Sequence, residues 1–257
     1  MVRLLEAGAL PRGLLRYALS KSQEVTVVAS GNFEVTRADQ TRLIAFPALT
    51  TPVRLTPSKD KVEFVWLKGS FEAPPGPPDP TTGQIITALE GSAGVLVADA
   101  RGVISQIFLR AGPGDKAERP MLENRSIYAT EMGKGILSLV DVPLPEEPIG
   151  IGGRWQVERI AVRGPLSIIQ VTTFTLLKRG ALLELSYRLG GKYDPSCGLR
   201  ENELKLGVSG SGTCTLDLSL PLPVRLEDEI QVDAQITGSN GPTTRQATRI
   251  RTRVESK

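Results

Sequence analysis

The chain has 257 residues, of which 40% are hydrophobic and 23% charged, with a net charge of +3; this is enough ordinary globular chain for one large domain or two small ones. It contains no histidine, which excludes Ser-His-Asp and Cys-His catalysis and imidazole metal sites, and its two cysteines cannot build a four-thiolate zinc centre. The basicity is mild and not gathered into patches with aromatics, so it makes no case for nucleic acid, and no apolar run approaches the roughly 20 residues of a membrane helix.

The apolar run after Val2 is broken by Glu6 and ends at Pro11, so no export signal is read there. From Gly13 to Ser30 the pattern is strand-like, with Leu15, Tyr17 and Leu19 on one face. Arg42 to Phe46 is a short second candidate. Asp60 to Trp66 alternates cleanly, with Val62, Phe64 and Trp66 on one side and Lys61 and Glu63 on the other. Ala73 to Pro80 is a stiff proline-rich loop, better read as surface than as a ligand for another domain. Gly94 to Ala98 and Val103 to Leu109 form a hairpin, in which Gly102 at the fourth turn position suits a type I turn with a bulge.

Arg119-Pro120 opens the one helix of length, carried by Leu122, Ala129 and Met132; Gly133 and Gly135 weaken its continuation towards Val140. Pro143 to Gly153 then packs three prolines and three glycines between two strand-rich halves, so neither a helix nor a central strand runs through it. Trp155–Val162, Ser167–Leu177 and Ala181–Leu189 read as an antiparallel meander. A short strand near Leu204 to Val208 precedes Thr213 to Leu220, where Cys214, Leu216, Leu218 and Leu220 face inward. The last two strands, Glu229–Ile236 and Arg245–Val254, are predicted to pair about a turn at Gly241. That register sets Glu229 against Arg253, Gln231 against Arg251 and Asp233 against Arg249.

Ten to twelve strands joined by short connections give a mainly β protein. A twisted antiparallel sheet of that width tends to curl, split or close. The expected fold is therefore one large, highly curved antiparallel sheet, a half-barrel or barrel, with the helix packed on its concave face. Residues 1–257 are read as a single domain, with possible sub-lobes 1–142 and 143–257; a two-sheet sandwich is the runner-up.

The motifs carry little chemistry. Gly150-Ile-Gly-Gly153 is followed by a strand rather than a helix, which makes it a tight turn and not a dinucleotide fingerprint. Glu146-Glu147 are adjacent and diverge, and Glu227, Asp228, Glu229 and Asp233 lack the loop spacing of a calcium site. Arg249, Arg251 and Arg253 form a stripe read as a cross-strand charge ladder in preference to an anionic-lipid surface. Cys197 and Cys214 are expected to form one disulfide in an oxidising compartment, worth roughly 3 kcal/mol; otherwise Cys214 is a small inward hydrophobe. Phe64, Trp66, Trp155, Phe174 and Tyr187 are either plain core or the lining of an apolar cavity on the concave face. No catalytic residues, metal ligands or cofactor are assigned.

At Leu144-Pro-Glu-Glu-Pro-Ile-Gly-Ile-Gly-Gly-Arg-Trp155, and again at Phe174-Thr-Leu and Ser209-Gly-Ser-Gly-Thr, the chain resembles an uncharacterised family of bacterial envelope proteins and lipoproteins. More distantly, the layout resembles curved-sheet carriers of lipoproteins and lipids in the periplasm. The resemblance implies a non-enzymatic protein in the periplasm, at the outer membrane or outside the cell. Such a protein would hold a lipid or other apolar ligand, or serve as a structural or protein-binding subunit of an envelope assembly.

Overall fold

Alternating side chains build a single 13-stranded antiparallel sheet. The computed structural model describes residues 1–37, 40–59, 61–72, 89–110, 137, 141–163, 166–194, 204–237 and 243–257. The strands are β1 (Val2–Glu6), β2 (Gln23–Arg37), β3 (Gln40–Ser58), β4 (Lys61–Trp66), β5 (Ser70–Glu72), β6 (Ala93–Ala98), β7 (Ile104–Arg110), β8 (Arg154–Arg163), β9 (Leu166–Arg179), β10 (Leu183–Tyr193), β11 (Leu204–Leu216), β12 (Arg225–Ile236) and β13 (Thr244–Ser256). Their order across the sheet is β1-β8-β9-β10-β11-β12-β13-β2-β3-β4-β6-β7, with β5 added on β3. Strands from both sides of residues 143–153 therefore share one sheet: β1 pairs with β8 and β13 with β2.

The sheet has to curl. Trp155 on β8 and Trp66 on β4 lie eight strands apart along that order. On a flat sheet with strands ~4.8 Å apart they would be ~38 Å from each other. Both belong to one continuous core, and the two ends of the order are bridged: Trp155 Nε1 donates to Pro143 O while the next residue, Leu144, donates its N–H to Arg101 O at the β6–β7 turn. The curl is stitched by extended chain. Ala9 N donates to Ile151 O (2.8 Å), Tyr17 N to Ala100 O (2.8 Å), Ala18 N to Leu218 O (2.8 Å) and Leu144 N to Arg101 O (2.8 Å). Residues 9–18 thus cross the base from the approach to β8, past the β6–β7 turn, to the end of β11.

The proline- and glycine-rich stretch is the other half of that closure. It forms no regular strand between residues 141 and 153. Arg16 holds it by donating to Pro145 O (2.9 Å) and Glu146 O (2.7 Å), and Trp155 Nε1 donates to Pro143 O (2.8 Å). Gly152 has φ +79°, and a Cβ on Gly150 would lie 1.7 Å from Ala9 O, so both glycines are required by the turn.

Several strands match the sequence reading: the β8–β10 meander, β4, and the β6–β7 hairpin with Gly102 at φ +76°. Three expectations are corrected. Gly13 to Ser22 is extended but is strand only at one bridge, Gly13 to Ile149, because it crosses the base and lacks a lateral partner. The short strand near Leu204 and the one beginning at Thr213 are one strand, β11. The β12–β13 register is displaced by two residues: Glu227 faces Arg253, Glu229 faces Arg251 and Asp233 faces Ala247. A two-residue slip keeps every side chain on its face, so alternation does not distinguish the two registers. Finally, the helix predicted over 119–132 lies outside the described residues, as does the Ala73–Pro80 loop. Among the described residues, the concave base is filled by extended chain bearing Leu15, Val142, Leu144 and Ile149.

Candidate functional site

Cross-strand pairing divides the inner face into levels. At the base, Leu185, Cys214, Leu226, Val254 and Val27 follow one another across five strands, all at most 3% exposed. One level up, Trp155, Phe174 and Tyr187 are direct cross-strand neighbours on β8, β9 and β10. Their rings touch in sequence: Trp155 stacks on Phe174 at 5.3 Å between centroids, and Phe174 meets Tyr187 tilted by 46° at 5.4 Å. Phe64 and Trp66 form a separate edge-on pair on β4 with centroids 6.4 Å apart. All five aromatics singled out in the sequence are buried in the core. They form its floor and present no open surface.

The aromatic level ends in a polar threshold. Tyr187 reaches over Gly212, where a Cβ would sit 2.6 Å from its hydroxyl oxygen, and donates to Asp228 Oδ2 (2.9 Å). Asp228 Oδ1 accepts from Thr252 N (3.2 Å). Burial and then the adjacent Asp228 charge push the Tyr187 phenol far above its ordinary value. Two levels above Trp155 on the same strand face, Arg159 points inward and forms an ion pair with Asp141. Burial raises the Asp141 carboxyl above its ordinary value, opposed by the Arg159 charge. Beside Arg159 in the sheet, Gln170 is buried and donates to Thr172 Oγ1 (3.3 Å).

These inward polar pairs were not anticipated. The signal was available: Asp228 falls on the same strand face as Leu226 and Ile230, and Arg159 on the face of Trp155 and Val157. A charged residue in phase with the apolar set of a strand is expected to find a buried partner.

Above the threshold the inner face is covered unevenly: Ile168, Leu189, Tyr193 and Leu204 stay buried, while a tier on β11, β12, β13 and β2 is less covered. Val208, Val232 and Thr248 are consecutive partners on β11, β12 and β13, and Leu206, Ala234, Gln246 and Val35 are the next level. All seven are only half-buried. This distal tier, rather than the aromatic floor, is the apolar part of the concave face that solvent reaches.

Cys214 is a free, buried thiol, so the disulfide expected with Cys197 is not formed; Cys197 lies outside the described residues. Cys214 points into the base between Leu185 and Leu226, where burial pushes its thiol up to about 12. It fills the position of a small inward hydrophobe.

The outer face is polar. The arginine stripe is a charge ladder: Glu229 accepts from Arg251 Nε (2.8 Å) and lies 3.4 Å from Arg249 Nε, while Arg253 is 3.9 Å from Glu227. Asp233, which the earlier register gave to Arg249, accepts from Gln231 instead (3.0 Å). Two adjoining hollows of about 550 and 390 Å³ share Ser186 and Arg188; the larger is bordered by Glu227, Glu229 and Arg251, the smaller by Arg154, Thr173 and Thr175. Among the described residues no cluster of acids, cysteines or histidines is grouped to hold a metal ion.

No family model matches the sequence, and no curated protein matches it. Among solved structures, OccK11 (OpdR) of Pseudomonas aeruginosa is similar over 95% of this chain and 98% of its own, at 6% identity and a TM-score of 0.22. A likeness at that score carries no argument about what this chain folds into or does. No helix among the described residues is long and apolar enough to cross a membrane.

Proposed function

We propose that the protein is a non-enzymatic binder or carrier of a lipid or other apolar molecule in the cell envelope, and that the ligand lies on the distal tier of the concave face. The observation that carries this reading is the half-buried row of Leu206, Val208, Val232, Ala234 and Val35, which continues the core outward and which no described segment covers. The inward charged groups support a non-catalytic role, because Tyr187 is committed to Asp228 and Arg159 to Asp141. The sequence resemblance at Leu144–Trp155 supports a periplasmic or outer-membrane-associated location.

Titration with the fluorescent probe N-phenyl-1-naphthylamine tests the reading. The expected result is saturable binding that Val232→Asp abolishes and Val65→Asp, on the outer face, leaves unchanged. Equal binding by all three proteins overturns it.

A second reading, a protein-binding subunit of an envelope assembly, is favoured by a different surface. Val65 and Phe108 are 40% and 55% exposed on the outer face of β4 and β7, on either side of β6. An apolar outer patch at the end of a sheet suits a protein partner.

A further inference from the structure

The smaller outer hollow points to a second site, unrelated to the apolar inner tier and on the opposite face of the sheet. It occupies about 390 Å³ and is bordered by Arg154, Thr173, Thr175, Ser186 and Arg188, with the Tyr187 backbone strand behind them and no acid in its wall. The arrangement follows from strand register. Arg154 on β8 faces Thr175 on β9, which faces Ser186 on β10; one step along, Thr173 faces Arg188. The two arginines are therefore two strands and two residues apart, about 12 Å between Cα atoms at ordinary sheet spacings. That separation lets two long guanidinium side chains lean in over three short hydroxyls between them.

The charges here are not consumed as they are elsewhere on the same face. On β12 and β13, Arg251 and Arg249 are answered by Glu229. Arg188 has no ion-pair or hydrogen-bond partner among the described residues, and Arg154 is paired only with Glu6, itself 59% exposed. Gln156 Nε2 donates to Thr173 Oγ1 (3.3 Å), which occupies a lone pair of that oxygen and leaves its proton to be donated outward. A wall of guanidinium and hydroxyl donors without a carboxylate is complementary to a group that only accepts and is negatively charged.

We propose that this hollow binds a phosphoryl oxyanion, with Arg188 and Arg154 supplying charge-assisted bonds and Thr173, Thr175 and Ser186 supplying hydroxyl donors. A free phosphate and the headgroup of a phospholipid present the same chemistry. The proposal is independent of the apolar-ligand reading, because Val232→Asp leaves this face untouched.

The test has two arms, run at low ionic strength because surface electrostatics are screened by salt. Calorimetric titration with inorganic phosphate reads the free ion, and co-sedimentation with vesicles containing phosphatidylglycerol, against pure phosphatidylcholine vesicles, reads the headgroup. Binding in either arm is expected to fall roughly tenfold or more in Arg188→Ala and in Arg154→Ala, and to be partly kept in Arg188→Lys. Arg251→Ala, on the neutralised side of the face, is expected to bind as the parent does. All three arginines are on the surface, so thermal melts should show all four variants folded. Binding confined to the first arm identifies a small phosphate ligand, and binding confined to the second identifies a membrane headgroup. Absence of binding in both arms, or binding that survives both alanine substitutions, overturns the proposal.

Discussion

The base and the distal end of the curled sheet are built from the same strands and behave as different materials. At the base, side chains from β8 to β10 and from β4 belong to one continuous core, and extended chain from residues 9–18 and 141–150 packs into it. At the distal end the same alternation continues for another three levels, but no described segment crosses it, and valines that would be core lower down stay half-buried. The difference teaches that alternation alone makes a face, not a core. A core needs something to meet the face, and here that something is two irregular stretches with high proline and glycine content.

The sharpest way to break the contrast is at its lower end. Trp155→Ala removes the ring that stacks on Phe174 and anchors Pro143, and should cost ~3–5 kcal/mol in urea unfolding, as large-to-small changes in packed cores do. A cost below ~1 kcal/mol would show that the base is not sealed. Tyr187→Phe keeps the ring but removes the bond to Asp228 across Gly212, and should cost ~1–3 kcal/mol by the same measurement. Val232→Ala, two levels higher, removes the same kind of apolar atoms from a half-covered site and should cost under ~1 kcal/mol. If Val232 and Trp155 prove equally costly per atom removed, the two ends are one core after all.

Thiol chemistry reads the same contrast without changing packing. In a Cys197→Ser background, Cys214 should resist alkylation at pH 8 in native protein and react fully in urea, because its thiol is buried and held up at about 12. Rapid native labelling would place Cys214 on the open side. The smallest effect is expected from the outer ladder. A hydrogen bond from Arg251 holds the Glu229 carboxyl below its ordinary 4.5. Its contribution is therefore present above pH 4.5 and lost as pH falls through the lowered folded value. Glu229→Gln should slightly flatten the acid limb of the stability curve and do nothing at pH 7 in moderate salt beyond a marginal change in melting temperature.

Much of this was legible in the chain, and the failures have specific causes. β4 and the β8–β10 meander were readable because bulky apolar residues alternate from Val62 to Trp66 and from Leu183 to Tyr187, and Trp155 with Val157 opens β8 in the same way. The turn at Gly150 to Gly153 was readable because a strand follows it. The β12–β13 register was wrong by two because a period-two pattern repeats itself every two residues, and the Glu227–Arg253 pairing satisfies the charges as well as Glu229–Arg253 would. Gly13 to Ser22 alternates like a strand, yet strand pairing depends on a neighbour that local sequence does not name. The five aromatics read in the sequence as either plain core or cavity lining; they are buried, and whether such a face is covered depends on contacts such as Arg16 to Pro145, 129 residues apart. The half-buried tier above them consists of ordinary valines and alanines that nothing in the sequence marks out.

Joining β13 to β2 has a consequence for how the chain reaches this form. Val27 pairs with Val254, so β2 waits for β13, and β1 waits for β8. During synthesis at ~5–20 residues per second, β2 holds an unsatisfied edge for roughly 10–45 s, in the regime where distant pairings slow folding and invite aggregation. Loss of β13 would leave β12 and β2 each with a bare edge in the middle of the sheet, turning one protein into a template for joining to copies of itself.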